Sequence, residues 1–382
     1  MTSIVELMLS DIKGMASTIV ARLPEIDALR SMPRDVIETL RSIGIFRSLV
    51  PRRYGGLELD VPAALEIVTA LGRIDGSLGW ISMIGATAAL VAPELPQSTY
   101  ERIYANGPDV IFAGSFAPGG TADRTDRGWC VNGRWPFASG CAHADWILGL
   151  STMREGSTPL SAPSGEVPLM RAFLLPADQW HIEDSWHVMG LVGTGSHHIS
   201  LRNALVTEDH FFAPAEQRWL EGPLYSVVPP FIPLFHAANM LGIAEGALAD
   251  LIALAASGHR QYRAATSMRD SEWFQAELGR IDADLRAARA LLRDQAASHW
   301  RHAVDGTLSE KDLHVHGTQV ATWMAATCVR VADACFSLAG SGALYRDSPL
   351  QRRMRDLHGA AQHAAVQQRN FISGGGLLLQ QA

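Results

Sequence analysis

Several things are scarce in this sequence, and each scarcity removes a class of function. Of 382 residues only four are cysteines (Cys130, Cys141, Cys328, Cys335). No two stand at C-x-x-C spacing, which argues against a disulfide framework or a cysteine zinc site and points to a reduced, cytoplasmic protein. Basic charge is not in surplus: 32 Lys and Arg against 39 Asp and Glu leave a net charge of −7, so no nucleic-acid footprint is expected. No run of about 20 uncharged apolar residues stands out, and the first stretch carries Glu6, Asp11 and Lys13 inside an apolar repeat. Neither a membrane span nor a signal peptide is therefore expected. No G-x-G-x-x-G fingerprint with its acidic follower occurs, so no nicotinamide domain is expected. Gly193-Thr194-Gly195-Ser196 is not a G-x-S-x-G elbow. His197-His198 and His314-x-His316 lack a Cys or carboxylate at ligand spacing, so no metal is expected.

What is present is an ordinary globular composition, 47% hydrophobic and 19% charged. Ile4, Met8, Ile12, Met15 and Ile19 recur at helical spacing. A second helix is expected from Ser31, with Pro33 near its first turn, to a stop at Gly44. Further helical pattern runs from Val61 to Ala92. From Val110 the pattern changes to short runs, Val110–Ala113, Trp129–Val131, Trp146–Leu150, Leu169–Leu175 and Ile199–Val206, split by Gly, Pro, Asp and Ser. Arg154–Pro168 is expected to be a surface loop. After Pro233 four long helices are expected, with Leu278, Ile281, Leu285, Ala288 and Leu292 on one seam and Met324, Cys328, Val331, Cys335 and Leu338 on another. The expected domains are residues 1–108, helical, 109–222, β, and 223–382, a four-helix bundle, an α+β chain in all.

Specific residues sharpen that order. Leu40-x-x-x-Gly44-Ile45, Val50-Pro51-x-x-Tyr54-Gly55-Gly56, Gly133-Arg134-Trp135-Pro136-Phe137-Ala138-Ser139-Gly140 and Arg353-x-Arg355-Asp356 together resemble the acyl-CoA dehydrogenase superfamily along essentially the whole chain. The resemblance implies an N-terminal α-domain, a central β-barrel-like domain and a C-terminal four-helix bundle. The dehydrogenases of that superfamily need a carboxylate base, expected eight residues after Asp356, where this chain has Ala364, or early in the first bundle helix. From Leu224 through Ala244 there is no Asp or Glu, so nothing there would accept the proton. Phe137-Ala138-Ser139-Gly140-Cys141-x-His143-Ala144, Asp347-Ser348-Pro349-Leu350-Gln351-Arg352-Arg353 and Asp356-Leu357-His358-x-x-x-Gln362-His363 are more similar to the two-component flavin monooxygenases of the same superfamily. That branch takes reduced FAD or FMN from a separate NAD(P)H–flavin reductase. Through a C4a-(hydro)peroxyflavin it transfers one oxygen atom of O2 to a small aromatic or heteroaromatic substrate.

The resemblance assigns roles. Ser139 is the candidate near flavin N5, since a short hydroxyl can donate or accept without filling the oxygen pocket. His363 is the candidate acid or base, an imidazole having a pKa near working pH. On a continuous helix His358 would lie about 140° away from it, so His358 is read as structural. Phe116, Ala117, Trp135, Phe137, Ala138 and Trp186 are expected along the flavin. Arg263 or Arg269 is expected at its phosphate, reached from a neighbouring subunit of a homo-oligomer, a tetramer in the family. No histidine precedes His143, although many members carry one on the helix that here reads Trp80 to Thr87. Trp80, Ile84, Thr87 and His143 are expected to line a compact apolar substrate pocket. The alternatives are a dehydrogenase with a relocated base and a non-catalytic flavin- or partner-binding member.

Overall fold

Each N-terminal helix is delimited by punctuation written in the sequence. α1 (Ile4–Ala21) opens on a capping box, in which Ser3 Oγ accepts from the Glu6 N–H and Glu6 accepts from the Ser3 N–H. Two otherwise unpaired amides are thereby closed. A short helix that the sequence pattern does not announce, α2 (Leu23–Leu29), follows directly. α3 (Arg34–Ile43) begins later than Ser31, because Pro33 keeps extended backbone and serves as its cap; Gly44, at φ 91°, ends it. α4 (Val61–Ile74) and α5 (Gly76–Val91) are capped by Asp60 and Asp75, which accept from the Ala63 and Leu78 amides. α6 (Gln97–Ile103) is the last helix before the sheet. The computed structural model describes residues 3–162, 165, 167–212, 219–226, 230–261 and 263–380.

The sheet comprises β1 (Phe112–Thr125), β2 (Gly128–Ala138), β3 (Trp146–Glu155), β4 (Thr158–Pro159), β5 (Met170–Pro176), β6 (His181–Glu183) and β7 (His197–Val206). Its order is β6-β7-β2-β1-β3, with β5 and β4 both along the far edge of β3. The β1–β3 pair is parallel and the rest are antiparallel. Trp135, Phe173, Trp180 and Phe211 fill its core. Arg154–Pro168 is not a plain loop: Arg154 pairs with Pro159 and Glu155 with Thr158, and Ser161 bridges Pro168. Residues 163, 164 and 166 lie outside the described ones.

Beyond the sheet come α7 (Ile232–Ala256), α8 (Glu272–Val304), α9 (Lys311–Ala339), α10 (Pro349–Ala360) and α11 (Phe371–Gln380). The fourth bundle segment is thus a helix of 12 residues, shorter than its neighbours. Met324, Cys328, Val331, Cys335 and Leu338 are all buried, as are Ile281, Leu285, Ala288 and Leu292, while Leu278 is half-buried. The expectation of no membrane-length apolar helix needs correction. Gly76–Glu94 and α7 are each long and apolar enough to cross a membrane by length and composition, but 83% and 61% of those stretches are buried inside the fold. They are its central helices and form the inner wall of the site.

Arginines at the start of α10 tie the blocks together. Arg352 Nε donates to Asp75 at 2.8 Å, and its Nη1 pairs with Asp27. Arg353 pairs with Asp250 of α7 at 3.1 Å. Asp356 Oδ1 accepts from the Leu191 N–H at 2.6 Å, holding the segment before β7 against α10. Gly190 permits that approach, since a Cβ there would lie 2.0 Å from the Arg355 carbonyl oxygen.

Candidate active site

Four elements converge on one aromatic cluster. Trp80 of α5 has ring-centroid distances of 5.0 Å to His236 of α7 and 5.6 Å, edge-on, to His363. The two imidazoles stack on each other at 3.9 Å with a 25° interplanar angle. From the fourth side, Ser139 Oγ accepts a hydrogen bond from Trp80 Nε1 at 3.0 Å. His363 is not on a bundle helix. α10 ends at Ala360, and His363 caps the 3₁₀ turn that follows, its Nδ1 accepting from the Ala365 N–H at 3.3 Å. The helical angle between His358 and His363 does not apply for that reason. His358, on α10, pairs with Asp333 at 2.8 Å.

Local backbone aims Ser139 inward. In a regular strand Trp135 and Phe137 would share a face. The pairing of β2 with β7 slips between Trp135 and Ala138, and Phe137 takes the left-handed conformation at φ 64°. Such strain in a bulky residue persists only where its surroundings enforce it. Here the Ser139 N–H returns to the Phe137 carbonyl, and the N–H of Gly140, itself at φ 75°, donates to the Thr194 carbonyl.

Behind Ser139 runs a buried hydroxyl chain. Ser139 Oγ and Ser196 Oγ lie 2.7 Å apart, Ser196 Oγ and Thr194 Oγ1 also 2.7 Å, and Thr194 Oγ1 donates to the Leu191 carbonyl at 2.8 Å. That last bond sets the direction of the others, because a carbonyl only accepts. Thr194 spends its proton on Leu191, so it accepts from Ser196, which in turn accepts from Ser139. With Trp80 donating as well, Ser139 Oγ keeps one lone pair and no proton for the pocket. Toward any further partner the Ser139 oxygen is an acceptor.

Both imidazoles are neutral. Burial alone pushes His363 down to about 4. His236 is driven well below the usual value by burial, with His363 adding repulsion. Among the described residues no carboxylate shifts either ring. Ala364, where a dehydrogenase base is expected, is exposed, and Glu245, the first acid on α7, is paired with Arg289 at 2.6 Å.

The other candidate residues divide. Trp135 is fully buried in the sheet core, its Nε1 donating to the Leu150 carbonyl at 2.7 Å against Phe173 and Trp180; it does not reach a ligand surface. Ala138 is also wholly buried. His143 is not among the ring contacts of the cluster; its Nε2 is bonded to Ser31 Oγ at 2.9 Å. Thr87 is buried and its hydroxyl donates to the Met83 carbonyl of its own helix at 2.8 Å, while Ile84 is half-buried on the same helix. Phe116 and Phe137 are 61% and 65% exposed, and Met189 is 57% exposed. Ala117 is half-buried, and Trp186 meets Phe137 edge-on at 6.3 Å, its Nε1 donating to the Leu191 carbonyl. Arg263 lies in the connection after α7, with an exposed side chain, as has Arg269. Sequence reasoning does not reach His236, Ser196 or Thr194. The acid-free stretch from Leu224 to Ala244 contains His236, and a search of it for an imidazole as well as a carboxylate would find it. Among the described residues no group of three His, Cys, Asp or Glu side chains converges as a metal site.

The chain has three parts, helices, a sheet and a second set of helices, with a buried aromatic cluster where they meet, and comparison with known proteins gives the class and the family. Models of the acyl-CoA dehydrogenase N-terminal domain and C-terminal domain match residues 8–97 and 234–368. The chain is 32% identical to indole-3-acetate monooxygenase of Pseudomonas putida, over 94% of this chain and 90% of that one. It is 28% identical to the flavin-dependent monooxygenase oxygenase subunit HsaA of Rhodococcus jostii, over 92% of each. The crystal structure of 3-HSA hydroxylase from Rhodococcus sp. RHA1 superposes with a TM-score of 0.88 at 26% identity, covering 99% of this chain and 97% of that one. The chain belongs to the acyl-CoA dehydrogenase family, within its branch of flavin-dependent monooxygenase oxygenase components. The residues fit a flavin: the exposed ring of Phe137, edge-on to Trp186, stands two residues from the Ser139 hydroxyl that accepts from Trp80, the pairing of an apolar wall and one polar atom that a flat heteroaromatic ring needs.

Proposed function

We propose that this chain accepts reduced FMN or FAD from a separate NAD(P)H–flavin reductase and uses O2 to oxygenate a small electron-rich heteroaromatic compound, of the indole type, beside Ser139 and His363. One observation carries this reading: the hydroxyl chain from Leu191 through Thr194 and Ser196 leaves Ser139 an acceptor. A reduced flavin carries an N5–H that an oxidised flavin lacks, so the polarity of Ser139 suits the form a reductase delivers. Bound there, the reduced flavin supplies the electrons that activate dioxygen. Ser139 holds the ring N–H, and Trp80 fixes Ser139. Phe116, Ala117, Phe137 and Trp186 wall the ring from water. His363, with Nδ1 occupied by the Ala365 N–H, offers Nε2–H to the reacting oxygen or the substrate.

The substrate class follows from basicity. A ring held near pKa 4 is about six units too weak to take the proton of a phenol, whose pKa is about 10. With no histidine on α5 to do so, a substrate already rich in electrons is favoured over a phenol. Trp80, Ile84 and Thr87 line its compartment, and we assign Arg263, with Arg269 as the second choice, to the flavin phosphate across subunits of a cytoplasmic homotetramer. The test supplies anaerobically reduced flavin, ¹⁸O-labelled O2 and indole-3-acetate or a phenol of similar size. Expected is a product carrying one labelled oxygen atom, formed from the indole faster than from the phenol. Quantitative conversion of the reduced flavin to free flavin and peroxide with every aromatic offered would reject the proposal.

A further inference from the structure

His236 has no place in the chemistry described so far, and its surroundings say what it does. It is 3% exposed, so it cannot touch a ligand, and its Nδ1 has no hydrogen-bond partner among the described residues. What it does make is a flat contact: its ring lies 3.9 Å from that of His363, with Trp80 set against both. His363 itself stands in a 3₁₀ turn rather than a helix, and one hydrogen bond at 3.3 Å, from the Ala365 N–H to Nδ1, holds one edge of its ring. Two faces from other elements therefore fix its plane.

We propose that His236 is a positioning residue, whose ring sets the plane of His363 and closes the space behind it to water, so that His363 presents a neutral Nε2–H to the pocket. The role belongs to the flat ring and its volume rather than to a ring nitrogen. The groups on the elements packed around His363 leave it alone. α5 carries no charged residue. On α7, Glu245 is paired with Arg289 and Asp250 with Arg353. Asp333 of α9 is paired with His358 of α10, Arg330 donates to Thr327, and burial keeps the Cys328 thiol protonated, up at about 12. Desolvation by burial is what remains, and the ring of His236 is part of what buries it.

This inference rests on the oxygenase reading for its kinetic arm only, so its first measurement is made on the flavin-free protein. In protein labelled at histidine Cε1, the His363 resonance, assigned by its loss in His363→Gln, is titrated by NMR. Wild type should show a midpoint near the 4 expected from its burial. In His236→Ala, water entering behind the ring should raise the midpoint by at least about one unit, and His236→Phe should leave it unmoved. With reduced flavin and substrate, His236→Ala should lower kcat about tenfold with KM changed less than about twofold, and His236→Phe should restore it. An unshifted midpoint in folded His236→Ala, or a His236→Phe variant as impaired as His236→Ala, overturns the proposal. Should His236→Ala not fold, His236→Leu replaces it: volume without a flat face should keep the midpoint low while kcat falls, and an unchanged kcat overturns the role. Loss of oxygenation in wild type would leave the NMR result standing and count only against the function.

Discussion

Ser139 joins two roles that substitution separates. Ser139→Ala strands the Trp80 indole N–H, which is buried and donates to nothing else, at a cost of about 1–3 kcal/mol in stability. It also removes the acceptor offered to flavin. Product yield per reduced flavin should fall about tenfold or more with a matching rise in peroxide, read by assaying both in one reaction. Thr194→Val tests the direction of the hydroxyl chain. Without the Thr194 bond to Leu191, Ser196 and Ser139 can reverse, and preference for reduced over oxidised flavin should fall several-fold in equilibrium binding. An unchanged preference would detach the chain from flavin recognition. Ser139 was legible because its neighbours form a contiguous motif. Ser196 and Thr194 were not, since they lie 57 and two residues from their respective partners and only folding shows that three small polar residues touch. His236 stayed hidden among Phe235, Ala237 and Ala238, where helical spacing reads as core.

The strand β2 shows how one element can mislead about two residues. Period-2 reasoning would send Trp135 and Phe137 the same way, yet the slip against β7 buries the first and exposes the second. A slip of that kind leaves no mark in composition, so the sequence alone does not show that Trp135 packs into the sheet core while Phe137 is exposed. The stop at Gly44 was legible, whereas the run read as continuous from Val61 to Ala92 is broken at Asp75, which caps α5, and α10 ended earlier than its pattern suggested. Two glycines separate backbone strain from contact. Gly140→Ala meets only Ile81 at 3.9 Å but holds φ 75°, so it should cost about 1–2 kcal/mol. Gly190→Ala would drive a Cβ into the Arg355 carbonyl at 2.0 Å and force the Leu191 segment off α10. A cost of about 3 kcal/mol or more is expected, with weaker flavin binding. Urea unfolding of the two variants checks the order, and a Gly190→Ala protein as stable as Gly140→Ala would show that the contact relaxes freely.

Charge balance across the molecule makes its stability sensitive to acid. Burial lowers the pKa of five imidazoles, His143 and His197 among them, and of three of them most: His299 on α8 and His363 are pushed down to about 4, and His236 well below its usual value. Unfolded, each titrates near 6.5. Their folded pKa values lie below the unfolded ones, so their contribution is complete above about pH 6.5 and is lost as the pH falls toward 4, at about 1.4 kcal/mol per pH unit for each ring. Asp356 runs the other way. Burial raises its carboxyl to about 6 against the ordinary 3.8, so its contribution is greatest at low pH and is lost as the pH rises through 6. Counting these four groups alone, three protons taken up on unfolding against one released give a fall in stability of about 2–3 kcal/mol per unit between pH 6 and 4.5. His299 lets the argument be tested away from the site. Among the described residues its Nε2 has no partner, its Nδ1 faces the carbonyl and side-chain amide of Gln295, and the residue is fully buried. His299→Leu should flatten the urea-derived stability profile by about 1.4 kcal/mol per unit over that range and leave stability at pH 8 little changed. A profile already flat in wild type would mean that these rings take up protons without unfolding the protein, and that the dry cluster beside Ser139 is open to water.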